Sequence, residues 1–224
     1  MSAKRAVIII TLLLFSGFLL QIPQETKSDG YGDYPPPAVG DWNIIVDTYV
    51  GNETIVLNGN LTIQSGGNLT LKNSTLKLNC SSDGQYYNEV QSGGSMKILD
   101  LDGDNLTTND ASWITANNTD YEFNFWVRDG ASFEMRNSNL TECGYFWGGV
   151  LEKEGLLIQT DDAIVEHSWI NNCTRGVILY GSDAKVSNNT IEWCDTGVRT
   201  SAWSNGTIER NVIVRSGTYG IQVD

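Results

Sequence analysis

Three groups of side chains in this 224-residue chain could do chemistry. The first is LDLDGDN, residues 99–105, which puts Asp100, Asp102 and Asp104 at alternate positions. Alternate carboxylates can share one metal ion, and calcium prefers such oxygen ligands. The glycine falls in the wrong place for an EF-hand and no Glu closes the loop, so a solvated acidic turn competes with a calcium site. No other cofactor is expected, because one imidazole, His167, and no Cys-x-x-Cys leave zinc and copper without a ligand set. The second group is Cys80, Cys143, Cys173 and Cys194. The third is CGYFWGGVLEKEG, residues 143–155, where Tyr145, Phe146 and Trp147 stand between glycines. Exposed aromatic faces are what sugar rings pack against, whereas rings folded back would cover apolar surface. Trp169 and Trp193 could join either arrangement.

The elements that must position these groups are short strands. TIVL, NLTIQ, NLTLK and TLKL follow one another over residues 54–78, separated by NGN, SGGN and KNS. Alternating apolar runs between turn residues argue for strands. The strands recur in register. Leu71 and Leu76 bracket KNST, Met135 and Leu140 bracket RNSN, and Val165 and Ile170 bracket EHSW. Val186 and Ile191 bracket SNNT, and Ile208 and Ile213 bracket ERNV. Asn and Ser suit the bend inside each bracket, since they tolerate left-handed backbone and bond to it locally. Cys173, Cys194 and Ser216 each lie three past their Ile, and Gly176-Val177, Gly197-Val198 and Gly220-Ile221 close the unit.

Val165 to Val186 is 21 residues and Val186 to Ile208 is 22. A period of this length, with two or three short strands in it, means a solenoid whose core closes only when coils stack. Roughly 7–8 coils at strand spacing are expected. Cys143, Cys173 and Cys194 share one repeat position and should stack. Neighbouring coils bring Cα atoms into disulfide range, but their side chains point in parallel. A Cys173–Cys194 bridge and a reduced ladder both stay open.

VSNNTIEWCDTGV and IERNVIVRSGTYGI resemble the repeat of right-handed parallel β-helix proteins of the pectate-lyase-like superfamily. NGNLTIQSGGNLTLKNSTLKL resembles the opening coils of secreted members, including those abundant on archaeal cell surfaces. The likeness is clear over 52–80 and 130–224. It is looser over 81–129, where SGGSMKI and SWITANNTDYEFNFWV are expected to be coils with longer loops. The resemblance implies an all-β fold, a right-handed parallel β-helix. It leaves activity open, because the superfamily holds lyases, hydrolases, adhesins and metal-handling proteins. Its polygalacturonase-type hydrolases use Asn-Thr-Asp, Asp-Asp, His-Gly and Arg-x-Lys on successive coils. Asn118-Thr119-Asp120 and Asp161-Asp162 match the first two motifs, which would make Asp120, Asp161 and Asp162 the acids and bases of an inverting hydrolysis. The other two are missing, since Ser follows His167 and no Arg-x-Lys comes after it. Asp161-Asp162 also reads as a turn, like Gly66-Gly67 and Gly130-Ala131 at comparable places.

Residues 1–28 read as a signal peptide or N-terminal anchor. Lys4 and Arg5 precede an uncharged run over 6–20, shorter than the roughly 20 residues a bilayer span needs. Residues 29–41, with three successive prolines, read as a linker, and 42–224 as the solenoid. The formal net charge of −13 becomes −15 once Lys4, Arg5, Lys27 and Glu25 leave with the leader. Such a surface repels nucleic acid and anionic membranes. Eleven sequons open at Asn52, Asn60, Asn68, Asn73, Asn79, Asn105, Asn117, Asn139, Asn172, Asn188 and Asn205, which suits export and glycosylation. TYGIQVD stops inside a strand, so an uncapped or incomplete C-terminal end is expected, with Ile221 and Val223 open to further coils or a partner chain. The reading is a secreted or cell-surface β-helix that works without catalysis, in adhesion, envelope structure or carbohydrate binding. Its partners would be glycans or other envelope components. The alternative is a polysaccharide lyase or glycoside hydrolase.

Overall fold

The computed structural model describes residues 29–104 and 109–224, so the leader and the Asn105 sequon lie outside the described residues. The chain winds through seven successive sets of three strands, from Asp47–Gly51 to Tyr219–Val223. The first strands of the coils form one face, the second strands another and the third strands a third, and every coil pairs in parallel with the next. The loose region 81–129 conforms: Ser95–Leu99, Trp113–Ala116 and Asn124–Val127 make one coil with a long excursion after its first strand.

Inward positions explain the period. Val50, Leu71, Ile98, Met135, Val165 and Val186 form one buried column, and Ile55, Leu76, Ile114, Leu140, Ile170 and Ile191 another. At roughly 1.5–3 kcal/mol for each large apolar side chain removed from water, these columns hold the coils together. The residue that turns the first strand into the second is left-handed in six of the seven coils, the third coil with its long excursion being the exception. Asn52, Asn73, Asn137, His167, Asn188 and Arg210 have φ of 46° to 57°. His167 is therefore an exposed bend residue.

The next residue in each bend points inward and links the coils. Ser138 N donates to Ser168 Oγ at 3.3 Å, Ser168 N to Asn189 Oδ1 at 2.9 Å, and Asn189 N to Asn211 Oδ1 at 2.9 Å. Bonds of this kind satisfy buried backbone groups that a plain turn would leave unpaired. On the opposite side, Gly176 and Gly197 are required by close approach. A Cβ on Gly176 would lie 2.5 Å from Gly197 O, and one on Gly197 would lie 2.6 Å from Gly220 O.

Residues 29–41, the Pro/Gly segment expected as a linker, pack against the start of the solenoid. β1 (Asp29–Tyr31) pairs antiparallel with Asp47–Gly51 at the start of the first face. Asp33 Oδ2 accepts from Ile45 N at 2.7 Å, Trp42 Nε1 donates to Asp33 O at 2.6 Å, and Tyr34 packs on the core. The cause is local. Asp33 can cap backbone donors left free at the first coil, and Tyr34 has apolar surface to bury, so the prolines span the end of the solenoid. β2 (Trp42–Ile44) then opens the third face. In the last coil Val212, Tyr219, Ile221 and Val223 are exposed.

Candidate functional site

Among the outward positions, those of the third face change character along its length. Asn43, Thr62, Glu89, Trp126, Leu157, Ile178, Arg199 and Gln222 stand in register. The early members are polar or aromatic. Tyr87 stacks on Trp126 at 4.6 Å, and the Arg128 guanidinium sits 4.8 Å from the Trp126 ring while pairing with Glu89 at 2.7 Å. Gln91 and Gln159 extend this polar strip, bonding Glu89 and Arg128.

Leu157 and Ile178 point the same way yet are at most 1 % exposed. The 143–155 excursion packs against Leu157. Its helical turn, Leu151–Lys153, packs on Asn124–Val127 and Gly155–Ile158, and Gly149, Val150 and Leu151 enclose a cleft of about 260 Å³ with Leu157, Gln159 and Tyr180. Tyr145 N donates to Lys153 O at 2.7 Å, Trp126 Nε1 donates to Glu152 O, and Gly149 N donates to Glu154 Oε1 at 3.0 Å. Glu154 is fully buried at the base of the excursion, 2.7 Å from Arg175. Burial pushes its carboxyl above the ordinary range, against the pull of the Gly149 N–H and Arg199.

The three aromatics divide between packing and exposure. Tyr145 packs on Gly84, where an added Cβ would lie 2.3 Å from its ring. Phe146 and Trp147 stay 70 % and 58 % exposed. Trp147 meets Tyr145 edge-on at 6.0 Å, with Lys153 Nζ 4.5 Å from its ring. An outward aromatic pair, its Trp147 braced, therefore stands beside a strip of amides and charges. Sequence reasoning missed Tyr87, Trp126 and Arg128, whose only signal was an aromatic and an Arg at outward strand positions.

The other candidates are placed as follows. Asp120 is exposed on the corner between the second and third faces, in a turn where its N–H bonds Asn118 Oδ1. Asp161 and Asp162 lie on the corner between the third and first faces. The matched motifs thus sit on different corners, and the hydrolase pair Asp120 with Asp161 or Asp162 is not assembled. Asp161 Oδ1 accepts from Asp183 N at 2.8 Å, as a turn residue does, and both acids border a shallow hollow with Asp129. In the acidic turn, Asp100 accepts from Gly103 N at 2.8 Å and Asp102 from Asp104 N at 3.0 Å. Asp110, not Asp104, completes the close group with Asp100 and Asp102. The turn curls, so strand-like alternation does not carry to its third acid.

All four cysteines are buried free thiols, and Cys173 and Cys194 donate to Asn171 O and Glu192 O within their own corners instead of bridging. Burial pushes the Cys143 and Cys173 thiols up, away from nucleophilic use. Among the sequons, Asn52, Asn68, Asn117, Asn172 and Asn205 are exposed, while Asn60, Asn73, Asn79 and Asn188 are half-buried. Asn139 differs from them: it is 8 % exposed, and its amide is 3.0 Å from Trp113 Nε1.

A family model described as a right handed beta helix region matches residues 63–224. The chain belongs to the right-handed β-helix family. No curated protein and no solved structure matches it. Within this β-helix the match spans six of the seven coils in full, and the first lies partly before it. Among the described residues, no helix is long and apolar enough to cross a membrane.

Proposed function

We propose that this β-helix is a secreted or cell-surface protein that works without catalysis, as an adhesion, envelope or carbohydrate-binding module. The observation that carries the reading is the exposure of Phe146 and Trp147, with Trp147 braced by Tyr145 and Lys153, beside the Trp126 strip. Large exposed rings cost solvation free energy unless a ligand covers them, and sugars offer apolar C–H faces together with hydroxyls for nearby amides. The acidic surface favours an uncharged glycan over a polyanion. Glycan-array binding of the full chain tests this. Loss of signal in F146A/W147A, with unchanged thermal melting, is expected. Cleavage of an array polysaccharide by the purified protein would overturn the non-catalytic reading.

A further inference from the structure

A second cleft lies on the corner between the second and third faces, beyond the base of the 143–155 excursion and lined by neither Phe146 nor Trp147. Glu122, Asn172, Cys173, Thr174, Trp193 and Asp195 line it, and its volume is about 180 Å³. The sequence spacing hides it, because its walls come from separate coils.

Trp193 is the unusual member. On this corner each of the last four coils turns through one left-handed residue. Glu142, Asn172, Trp193 and Arg215 occupy that place, with φ of 59°, 52°, 55° and 55°. Asn tolerates the conformation, but a bulky aromatic pays for it in strain. Such strain persists where the surroundings enforce it, and it concentrates at ligand clamps. Nor does the ring gain burial in return, since Trp193 is 57 % exposed. One face is braced by the Arg215 guanidinium, 4.8 Å from the ring, and that guanidinium is itself held by Glu192 at 3.0 Å.

Around the ring stand groups suited to hydroxyls. The Asn172 amide is oriented by Glu142 at 2.7 Å, and the Thr174 hydroxyl by Gly144 O at 2.8 Å. Asp195 offers a carboxylate acceptor. Burial, and then a hydrogen bond that gives its proton to Asp83, push the Glu122 carboxyl to about 7, so towards the ligand it offers only its oxygen as an acceptor. An aromatic platform with fixed amide, hydroxyl and carboxyl groups recognises the two sides of a pyranose, one apolar and one polar.

We propose that the Trp193 cleft seats a single uncharged sugar ring, stacked on the indole and hydrogen-bonded by Asn172 and Asp195. This shares the carbohydrate reading above but uses a site separate from Phe146 and Trp147, so the two stand or fall on different variants. The test is saturation-transfer NMR on the full chain, with the methyl glycosides of glucose, galactose, mannose and N-acetylglucosamine as probes. The protein is produced without N-glycosylation, so that no sugar on Asn172 is detected instead. At least one probe should give transfer in wild type and in F146A/W147A, and bind at least fivefold more weakly to W193N. W193N should melt at or above the wild-type temperature, since Asn relieves the left-handed strain. No transfer from any probe in F146A/W147A, transfer unchanged in W193N, or a clear fall in W193N melting temperature would each overturn the proposal.

Discussion

Lys185 Nζ lies 3.1 Å from Glu166 Oε1, one rung along the first face. The same carboxylate accepts from Ser187 Oγ at 2.9 Å and is paired by Arg136. Burial alone would raise the Glu166 carboxyl. Lys185, Ser187 and Arg136 outweigh it and hold the group at about 2. Its folded value lies below the unfolded value of about 4.3, so its stabilisation is complete above that value and is lost as pH falls through about 2. Urea unfolding should show E166Q less stable by about 2 kcal/mol near pH 6, with the deficit shrinking towards pH 3. A pH-independent deficit would contradict the assignment.

Glu122 acts with the opposite sign. Its carboxyl is raised to about 7, first by burial and then by the hydrogen bond to Asp83. The stability it contributes is full below the unfolded value of about 4.3 and is lost as pH rises through about 7. E122Q should stabilise the fold by about 1 kcal/mol near pH 8, after allowance for partial exposure, and change little near pH 4. Wild-type stability should therefore peak on the acid side of neutrality.

The bend ladder separates two adjacent asparagines. Asn189 is 1 % exposed, donates to Val165 O at 2.9 Å and accepts from Ser168 N. N189A should cost about 2–3 kcal/mol, because it strands buried donors and acceptors. Asn188 holds the left-handed place, where glycine is at ease, so N188G should stay within about 0.5 kcal/mol of wild type. Chemical denaturation of the two variants checks both.

Thiol chemistry tests the cysteine column. With Cys80, Cys143, Cys173 and Cys194 buried and unbridged, iodoacetamide should leave the native chain unmodified and alkylate all four cysteines in guanidinium without reductant. Intact-mass measurement reads the number directly. Two alkylated cysteines in place of four would reveal a Cys173–Cys194 bridge.

The coil was legible because its constraints repeat. Val165 and Ile170, then Val186 and Ile191, recur since each must fill the same inward place, and the bend between them needs a left-handed residue every time. The sequons were legible for the wrong reason. Asn-x-Thr spacing equals strand alternation, so Asn68, Leu69 and Thr70 read outward, inward, outward whatever happens to the asparagine. Asn139 shows the limit: its sequon sits on a strand whose Asn lies beneath Trp113. The excursion announced itself as a break in period, but not that Tyr145 would pack and Trp147 would not. The Trp193 cleft was illegible because Glu122 and Asn172 meet only once the register of the intervening coil is known.

The bend ladder also bears on how such a chain can change over generations. Except at the third coil, each coil meets its neighbours through the same inward rung and the same left-handed turn. Duplicating or deleting one unit of the 21-residue spacing between Val165 and Val186 would leave both flanking contacts intact. The outward side chains of that unit would be gained or lost together. The coil is thus a unit of inheritance as well as of folding, and unequal recombination could redraw a binding face without repacking the interior.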